Sequence, residues 1–388
     1  MRSIVIVACI GAAFSCLDTA PASGRIWRVT VDGTGDVPTI QAAVDTAEAG
    51  DEIVVAPGVY TWANQGTGTE FGLITFLRYV GGFTLRSEAG AGSTVLNAQG
   101  QGRVFYLMAY NEVTIEGFTI TGGEAPLFGN FGGGGIIAHL CPAVFRDCVI
   151  WRNSARFGGG MWCGGVSNMQ FIRCEFSQNN AEYGAGIYFI NSFNSPYFYD
   201  CVIQDNAATA RGGGVHAYNN ILTFENTIFA RNTAGTLGGA LYENQVDAST
   251  MTNCTVTGNG ANQSGGGVYL FGGSILTMDR SIVAFTIDGE ALFVDGLSTL
   301  NIGCTDVYGP GGGIPAGAID NGGNFSADPL FCRQVSPYDY HLEGGSPCTP
   351  GNHPDGADCG VIGALPADCG GVSVETRTWG HIKAIYHD

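Results

Sequence analysis

An aromatic or imidazole side chain recurs directly after a run of glycines. The runs read FGGGMW at 157–162, YGAGIY at 183–188, RGGGVH at 211–216, LGGALY at 237–242 and SGGGVY at 264–269. Aromatic faces stack on sugar rings, and binding sites for such ligands combine aromatic side chains with a few polar groups. The pattern predicts a carbohydrate-binding surface. Its candidate residues are Trp162, Tyr188, His216, Tyr218, Tyr242, Tyr269 and Phe271.

Two other interpretations of these rings stay open. The rings suit any strand surface and could pack there under loops without binding anything. The phase could also be reversed, so that they point inward. The residue before each ring is aliphatic (Met161, Ile187, Val215, Leu241 and Val268), which favours an inward aliphatic column and outward rings. Glu243 runs against this phase, because it then points inward near a strand end.

Acidic side chains are densest near the last rings, at Asp288, Glu290 and Asp295. Carboxylates can serve as general acid and base, so these three are the acidic candidates for catalysis. No serine-hydrolase, zinc-protease, phosphate-loop or dinucleotide motif stands out. The sequence therefore names no confident catalytic residue, no metal ligand and no cofactor. Its acidity could attract calcium, but no residue set supports a calcium site.

The glycine runs belong to a repeat. The aliphatic anchors Ile136, Met161, Ile187, Val215, Leu241, Val268 and Leu292 follow one another at intervals of 25, 26, 28, 26, 27 and 24 residues. A second column in the same phase is the asparagine of an Asn-x-Ala tripeptide, at Asn153, Asn179, Asn206, Asn232 and Asn259. Phenylalanine or methionine stands eight residues before each asparagine, and an aliphatic residue or phenylalanine three before it. Several columns in phase indicate a solenoid.

Each repeat leaves room for three short strands, which indicates an all-β chain. Apolar residues alternate within each strand, and the phase breaks at a column rich in Gly, Asn and Asp, which tolerate left-handed backbone angles. The prediction is a single-stranded right-handed parallel β-helix of about ten coils of ~26 residues, with a short N-terminal capping helix. The asparagines should then form an internal ladder whose amides bond neighbouring coils.

The predicted organisation has five parts. Residues 1–22 read as a secretory signal, with Arg2, the apolar run 4–14 and an A-x-A cleavage site at 20–22. Residues 23–80 form the N-terminal cap and first coil, in which Pro38 suits a first helical turn. Residues 81–330 carry the repeats, 331–371 a disulfide-bearing C-terminal cap and 372–388 a tail. The signal predicts a secreted or outer-surface protein.

The cysteines fall into two groups. Cys148, Cys174, Cys201 and Cys254 occupy one repeat column, where Ser and Thr also occur, which favours small core fillers over metal ligands. Cys332, Cys348, Cys359 and Cys369 lie beyond the repeats in Gly- and Pro-rich sequence. Two disulfides are expected among these four, with three connectivities open.

Charge excludes one class of partner. The chain has a formal net charge of −18 and only 16 basic residues among 388, which argues against nucleic acid. No segment of the mature chain has the ~20 apolar residues of a membrane helix.

The paired patterns GG[AG][IVL]Y and [FIV]xxNxA resemble the repeats of chlamydial polymorphic outer-membrane proteins. The whole is similar to right-handed parallel β-helix repeat proteins with the pectin-lyase-like fold, over about residues 29–365. The segment 32–60 resembles the N-terminal cap of that fold, and 328–348 its C-terminal closing segment. The resemblance implies the fold. For activity it implies only a choice, because the group contains lyases, hydrolases and adhesins.

The sequence thus predicts a secreted or cell-surface protein, non-catalytic, that binds a polysaccharide or a surface partner through an exposed aromatic ladder. One alternative is a polysaccharide lyase or glycoside hydrolase. The resemblance implies a calcium-binding carboxylate cluster with an arginine base for a lyase, and two or three aspartates on one face of adjacent coils for a hydrolase. The other is a structural spacer or adhesin. Exposed rings with soluble glycan binding would favour the first, and convergent carboxylates the second.

Overall fold

The computed structural model describes residues 24–65, 71–77, 82–108, 112–125, 132–165, 168–192, 195–332 and 339–369. The expected signal (1–22) and tail (372–388) lie outside the described residues. Within the described residues the chain winds as a right-handed parallel β-helix of about ten coils, built from four sheets that we call A, B, C and D in the order in which one coil visits them. No helix in this part of the chain is long and apolar enough to cross a membrane.

Sheets A and B are the longest. Sheet A contains Ile26–Val29, Glu52–Val55, Phe83–Ser87, Val113–Glu116, Ala143–Arg146, Gln170–Ile172, Tyr197–Tyr199, Thr223–Glu225, Ser249–Thr252, Ile275–Asp279, Thr299–Gly303 and Ile319–Asp320. Sheet B contains Gly58–Thr61, Thr94–Asn97, Thr119–Thr121, Val149–Trp151, Glu175–Ser177, Val202–Gln204, Ile228–Ala230, Thr255–Thr257, Ile282–Ala284 and Asp306–Tyr308.

Sheets C and D complete the coil. Sheet C contains Ser154–Phe157, Asn180–Tyr183, Ala207–Arg211, Thr233–Ala234 and Gly260–Ala261. Sheet D contains Ile74–Phe76, Phe105–Met108, Ile136–His139, Met161–Gly164, Ile187–Ser192, Val215–Asn220, Leu241–Asn244, Val268–Phe271 and Leu292–Val294. Each strand pairs in parallel with its equivalent one coil away, so equivalent side chains stack along the rod.

The core consists of such stacks. In sheet A the inward column is Phe145, Phe171, Phe198, Phe224, Met251 and Met278, all with 0% exposure. Neighbouring rings of this column stack, with centroids 4.6 Å apart at Phe171 and Phe198 and 4.8 Å apart at Phe198 and Phe224. Residues of alternate position point outward and are half-buried, as the two-residue period of a strand requires.

Two corners of each coil turn through a residue with left-handed backbone. Between sheets A and B this residue is Gly117, Asp147, Arg173, Asp200, Asn226, Asn253, Arg280 or Cys304, with φ between 46° and 74°. The two arginines adopt the same strained angle as the asparagines, and Arg173 compensates by an ion pair to Asp147 in the coil before it. A second such column precedes the asparagines, at Arg152, Gln178, Asp205 and Arg231.

The asparagines line the corner between sheets B and C as one continuous ladder. The Oδ1 atom of Asn206 accepts from the main-chain N (3.1 Å) and the Nδ2 (3.0 Å) of Asn179, and its own Nδ2 donates to Phe176 O (2.9 Å) and to Asn232 Oδ1 (2.9 Å). The five asparagines are 0–1% exposed. Each buried amide is therefore satisfied by its neighbours in the next coils.

A short helix covers the N-terminal end of the rod. Helix α1 spans Ile40–Thr46, and Thr39 caps it by accepting from Ala42 N at 3.1 Å. Ile40, Ala43 and Val44 are buried against the first coil. Pro38 lies one residue before the cap, so its expected place in the first helical turn was wrong by two positions.

The C-terminal segment folds back over the outer face of sheet B and is fixed by two disulfides, Cys304–Cys359 and Cys332–Cys369. The expected set of four was wrong at one position, because Cys348 is a buried free thiol and Cys304 takes its place. Cys304 belongs to the left-handed corner column, which directs its side chain toward the returning segment. Cys348 instead donates to Asp306 Oδ2 at 3.6 Å.

The four cysteines of the repeat column are buried free thiols. Cys174, for example, donates to Phe145 O in the coil before it, at 3.4 Å. Burial raises the pKa of Cys201 and of Cys254 to about 12, so these thiols stay protonated and act as small core fillers.

Candidate functional site

The first glycine of each run makes room for the ring that follows it. Gly212, Gly238 and Gly265 have φ between 64° and 69°, a backbone that only glycine adopts without strain. A Cβ atom at Gly238 would lie 2.7 Å from Tyr242 Cβ, and one at Gly265 would lie 2.7 Å from Tyr269 Cβ. The ring therefore packs back over its own glycine turn.

The rings form one continuous stack along the outer face of sheet D. Its distances between ring centroids are 4.8 Å for Tyr188 and His216, 4.6 Å for His216 and Tyr242, 5.4 Å for Tyr242 and Tyr269, and 4.5 Å for Tyr269 and Phe293. We call this set the ring column. The rings point away from the main core, because the alternate residues Met161, Ile187 and Cys163 fill that core.

Four of the five rings of the ring column are buried, as is Trp162 one coil before them, and this corrects the expectation of an open ladder. Trp162, Tyr188, His216, Tyr242 and Tyr269 are only 1–9% exposed. The cover comes from the ends of the sheet C strands, since Phe157 packs 5.2 Å from Tyr188 and Tyr183 meets His216 edge-on at 5.8 Å. Most of each ring face is thus unavailable for stacking on a sugar.

Arg211 covers the Tyr242 ring of the next coil. Its Nη1 donates to the Tyr242 hydroxyl at 3.3 Å, and its guanidinium carbon lies 5.5 Å from the Tyr242 ring centre. Arg211 is exposed. The sequence shows that Arg211 stands directly before the glycine turn at Gly212. Its contact with Tyr242 is not visible there, because the two residues belong to adjacent coils.

A second outer column lies beside the ring column and is accessible. It contains His139, Gly164, Ile190, Tyr218, Asn244 and Phe271, which pair in register. Phe271 is 42% exposed and Tyr218 and Asn244 are half-buried. We call Tyr218, Asn244 and Phe271 the open column. Of the seven predicted sugar-binding residues, the structure leaves only Tyr218 and Phe271 substantially reachable.

Two of the three acidic candidates accept hydrogen bonds from neighbouring residues, and the third is exposed. Asp288 is exposed on the turn that precedes the last sheet D strand. A hydrogen bond from the Ser264 hydroxyl (2.6 Å) lowers the pKa of Glu290. Partial burial alone would raise the pKa of Asp295, but bonds from Ser298, Gly272 and Leu297 together lower it. The carboxylate of Asp295 is thereby occupied by hydrogen bonds from its own loop and from Gly272.

The titratable groups of the ring column keep one protonation state. Burial lowers the pKa of His216 to about 3, so the ring is neutral at neutral pH and is a poor general base. Burial raises the pKa of Tyr188 to about 12, and the pKa values of Tyr242 and Tyr269 are also raised. The phenols therefore remain hydrogen-bond donors and acceptors. Among the described residues no three His, Cys, Asp or Glu side chains are grouped to hold a metal ion.

Comparisons with known proteins agree with this architecture. The model of a family described as a right handed beta helix region matches residues 92–220 and 158–283. The crystal structure of the pectate lyase Pel9A is similar with a TM-score of 0.50 and 13% identity, over 89% of this chain and 97% of that one. The pectin methylesterase from carrot has a TM-score of 0.37 and 13% identity, over 80% and 86% of the two chains. No curated protein is significantly similar in sequence. At such identities the likeness to Pel9A concerns the fold alone.

Proposed function

Since the chain is a right-handed parallel β-helix protein with the pectin-lyase-like fold, we propose that it binds an extended carbohydrate chain along the outer face of sheet D without cleaving it. The observation that carries the proposal is the exposure of the open column on the outer face of sheet D. Phe271 is the most exposed aromatic ring of that column, at 42%.

The spacing of the open column suits a linear ligand that runs along the rod. Tyr218, Asn244 and Phe271 stand in three successive coils, so about 10 Å separates the first from the last, given ~4.8 Å between stacked strands. The column alternates ring, amide and ring. Sugar chains offer apolar ring faces and hydroxyl groups, which an aromatic ring and an amide can meet in that order.

Several features favour binding over catalysis. The carboxylates nearest to the face are engaged, Asp295 with backbone amides and Glu290 with Ser264. His216 is buried and neutral, and its ring lies under Tyr183. A general acid or base must reach a substrate in the right protonation state, and these groups do not offer it.

The disulfides support a location outside the cytoplasm. Bonds such as Cys304–Cys359 persist in oxidising compartments and are rare in the reducing cytosol. A polysaccharide or another surface component is the kind of ligand available there.

The test is binding of soluble polysaccharides by the double variant Tyr218→Ala/Phe271→Ala. We expect at least a tenfold loss of affinity in affinity electrophoresis, because each side chain contributes an exposed contact. Ile275→Ala is the matched control, since Ile275 is 37% exposed in the same coil as Phe271 but belongs to sheet A. The control should bind as the wild type does.

Three results would overturn the proposal. Wild-type affinity in the double variant would show that the face is not the binding surface. Unsaturated products or new reducing ends from any bound polysaccharide would show a lyase or hydrolase instead. A chain that binds none of a broad glycan panel would be a spacer or adhesin without a sugar ligand.

A further inference from the structure

Among the described residues, arginine stands at four of the left-handed corners of the rod, and one of the four has no carboxylate partner. The other three form ion pairs with aspartates: Arg173 with Asp147, Arg231 with Asp205, and Arg280 with Asp279. Arg152 has the same strained backbone, with φ of 52°. Its equivalents in the coils before and after it are Gly122 and Gln178, which carry no charge. The positive charge of Arg152 is therefore unmatched at its corner.

The guanidinium of Arg152 is held in place on two sides. Its Nε donates to Gln178 Oε1 of the next coil at 3.0 Å, and its guanidinium carbon lies 4.2 Å from the ring centre of Trp151. Within the part of the chain that the structure describes, the two Nη groups of Arg152 and the Nε2 group of Gln178 donate to no protein acceptor. These donors belong to a side-chain pair that is already ordered before any ligand arrives, so little conformational entropy is lost on binding.

Arg152 lines a groove of about 370 Å³ at the corner between sheets B and C. The other residues that line it are Asn153, Ser154, Gln178, Asn180 and Asp205. They belong to three successive coils, so the groove extends about 10 Å along the rod, given ~4.8 Å between stacked strands. Its volume falls within the range of roughly 300–1,000 Å³ that small-molecule sites occupy. Because every lining residue is polar, the groove suits a polar ligand.

The charge in the groove is positive, although the whole chain is acidic. Its one carboxylate, that of Asp205, is neutralised by Arg231, which donates to it through Nε at 2.7 Å and through Nη2 at 2.6 Å. The remaining polar groups are mainly hydrogen-bond donors, and they come from Arg152, Ser154, Gln178 and Asn180. A donor-rich groove with an unmatched guanidinium favours an oxyanion, because charge-assisted hydrogen bonds are stronger than neutral ones.

The number of donors at one end of the groove indicates the kind of oxyanion. Two Nη groups of Arg152 and the Nε2 group of Gln178 can donate to three oxygen atoms. A tetrahedral sulfate or phosphate ester presents three terminal oxygens, whereas a carboxylate presents two. Ser154 and Asn180 are exposed in adjacent coils of sheet C and can bond hydroxyl groups beside the ester. We propose that the groove binds a sugar residue carrying a sulfate or phosphate ester, with the ester at Arg152 and the sugar hydroxyls at Ser154 and Asn180.

This site is separate from the surface proposed for polysaccharide binding. The groove lies at the corner between sheets B and C, whereas Tyr218 and Phe271 lie on the outer face of sheet D. No residue belongs to both sets. Failure of one proposal therefore leaves the other standing, and variants of the two surfaces can be compared in the same protein.

The experiment is calorimetric titration of the full chain with glucose 6-sulfate, glucose 6-phosphate, glucuronate and glucose. We expect at least one ester to bind about tenfold more tightly than glucuronate, and the tighter ester identifies the source of the group. Arg152→Asn should weaken binding of that ester about tenfold, because asparagine tolerates the left-handed backbone and only the guanidinium is lost. Arg156→Asn is the matched control, since Arg156 is exposed in the same coil, pairs with Glu182 and lies outside the groove.

Several results would overturn the proposal. Inorganic sulfate or phosphate that binds as tightly as the ester would show an adventitious ion only. Glucuronate or glucose that binds as tightly as the ester would show that the groove does not select a tetrahedral group, and wild-type affinity in Arg152→Asn would place the ester elsewhere. If that variant does not fold, Ser154→Ala decides: it should weaken binding of the ester about threefold and leave inorganic sulfate unaffected, and an unchanged affinity for the ester would refute the sugar contact.

Discussion

The asparagine ladder and the carboxylate of Glu243 are both buried inside the rod, and their hydrogen bonding differs. In the ladder, the Oδ1 and Nδ2 atoms of Asn206 are both used by neighbouring coils. The carboxylate of Glu243, by contrast, stands between Ala217 and Leu270 of the neighbouring coils and has no hydrogen-bond partner in either. A polar side chain that recurs in every coil finds hydrogen-bond partners in its own copies. A polar side chain that occurs once has no such copies beside it.

The largest effect is expected from interrupting the ladder. Asn206→Ala leaves the main-chain N and Nδ2 of Asn179 and the carbonyl of Phe176 without their partner, all of them buried. At about 1–3 kcal/mol for each buried group left unpaired, we expect a loss of about 3–5 kcal/mol in the free energy of unfolding, measured by urea denaturation. The exposed Asn180→Ala is the control, and a loss below about 1 kcal/mol at residue 206 would remove the contrast.

The next largest effect is the change in folding stability with pH that Glu243 causes. Burial raises the pKa of this carboxyl to about 8, so the folded chain holds the proton more tightly than the unfolded chain does. Stability is therefore full below about pH 4.5 and falls as the pH rises toward 8. Glu243→Leu should abolish this fall and be about 2–4 kcal/mol more stable than the wild type at pH 8. Denaturation curves at pH 5 and 8 check this, and a less stable variant at pH 8 would contradict it.

Asp306 provides an intermediate case, a buried carboxyl that has partners. It accepts from Ala327 N at 3.0 Å and from the Cys348 thiol. Burial nevertheless raises the pKa of Asp306 to about 7. The contribution of Asp306 to the free energy of unfolding therefore also declines as the pH rises from about 4 to 7. We expect Asp306→Asn to be less stable than the wild type by about 1 kcal/mol at pH 4 and to lose part of the pH dependence, as measured by the same titration. An unchanged pH profile would show that Asp306 does not titrate in this range.

The smallest effect is expected at the surface of the ring column. Tyr242→Phe removes the hydroxyl that accepts from Arg211 while the buried ring stays in its stack. Because the guanidinium can turn to water, we expect a cost of about 0.5–1 kcal/mol in thermal unfolding. A cost above about 2 kcal/mol would contradict this and would show that the Tyr242 hydroxyl is as important to stability as the buried amides of the asparagine ladder.

The same contrast explains what the sequence could predict. The period of the repeat predicts where its recurring columns lie. The column from Phe145 to Met278 predicts the core, and the corner residues around Asp147 predict the bends. Arginine at a left-handed corner is against local preference, yet Arg173 takes that angle because register with the neighbouring coils overrides it.

Features that occur once, or that depend on neighbouring coils, were out of reach. The period tells which side of sheet D Tyr242 faces, but not that the end of a sheet C strand lies over it, and so the rings were wrongly expected to be exposed. Cys304 was missed because it stands inside the repeats, whereas its partner Cys359 lies in a segment whose return path carries no period. The phase of the strand correctly placed Glu243 inward. That its carboxylate lacks partners in the neighbouring coils could not be predicted, because this depends on the side chains packed around it.

The two ends of the rod are closed by different means, and this gives its unfolding a direction. At the C-terminal end two disulfides and contacts such as Asn253 Nδ2 to Val361 O (3.0 Å) bind the returning segment to the last coils. At the N-terminal end, in the part of the chain that the structure describes, the seven-residue helix α1 covers the core. Because each coil contacts mainly its neighbours, a solenoid loses its coils from whichever end opens first. Under oxidising conditions the molecule should unwind from its amino end, and a reductant should allow it to unwind from both.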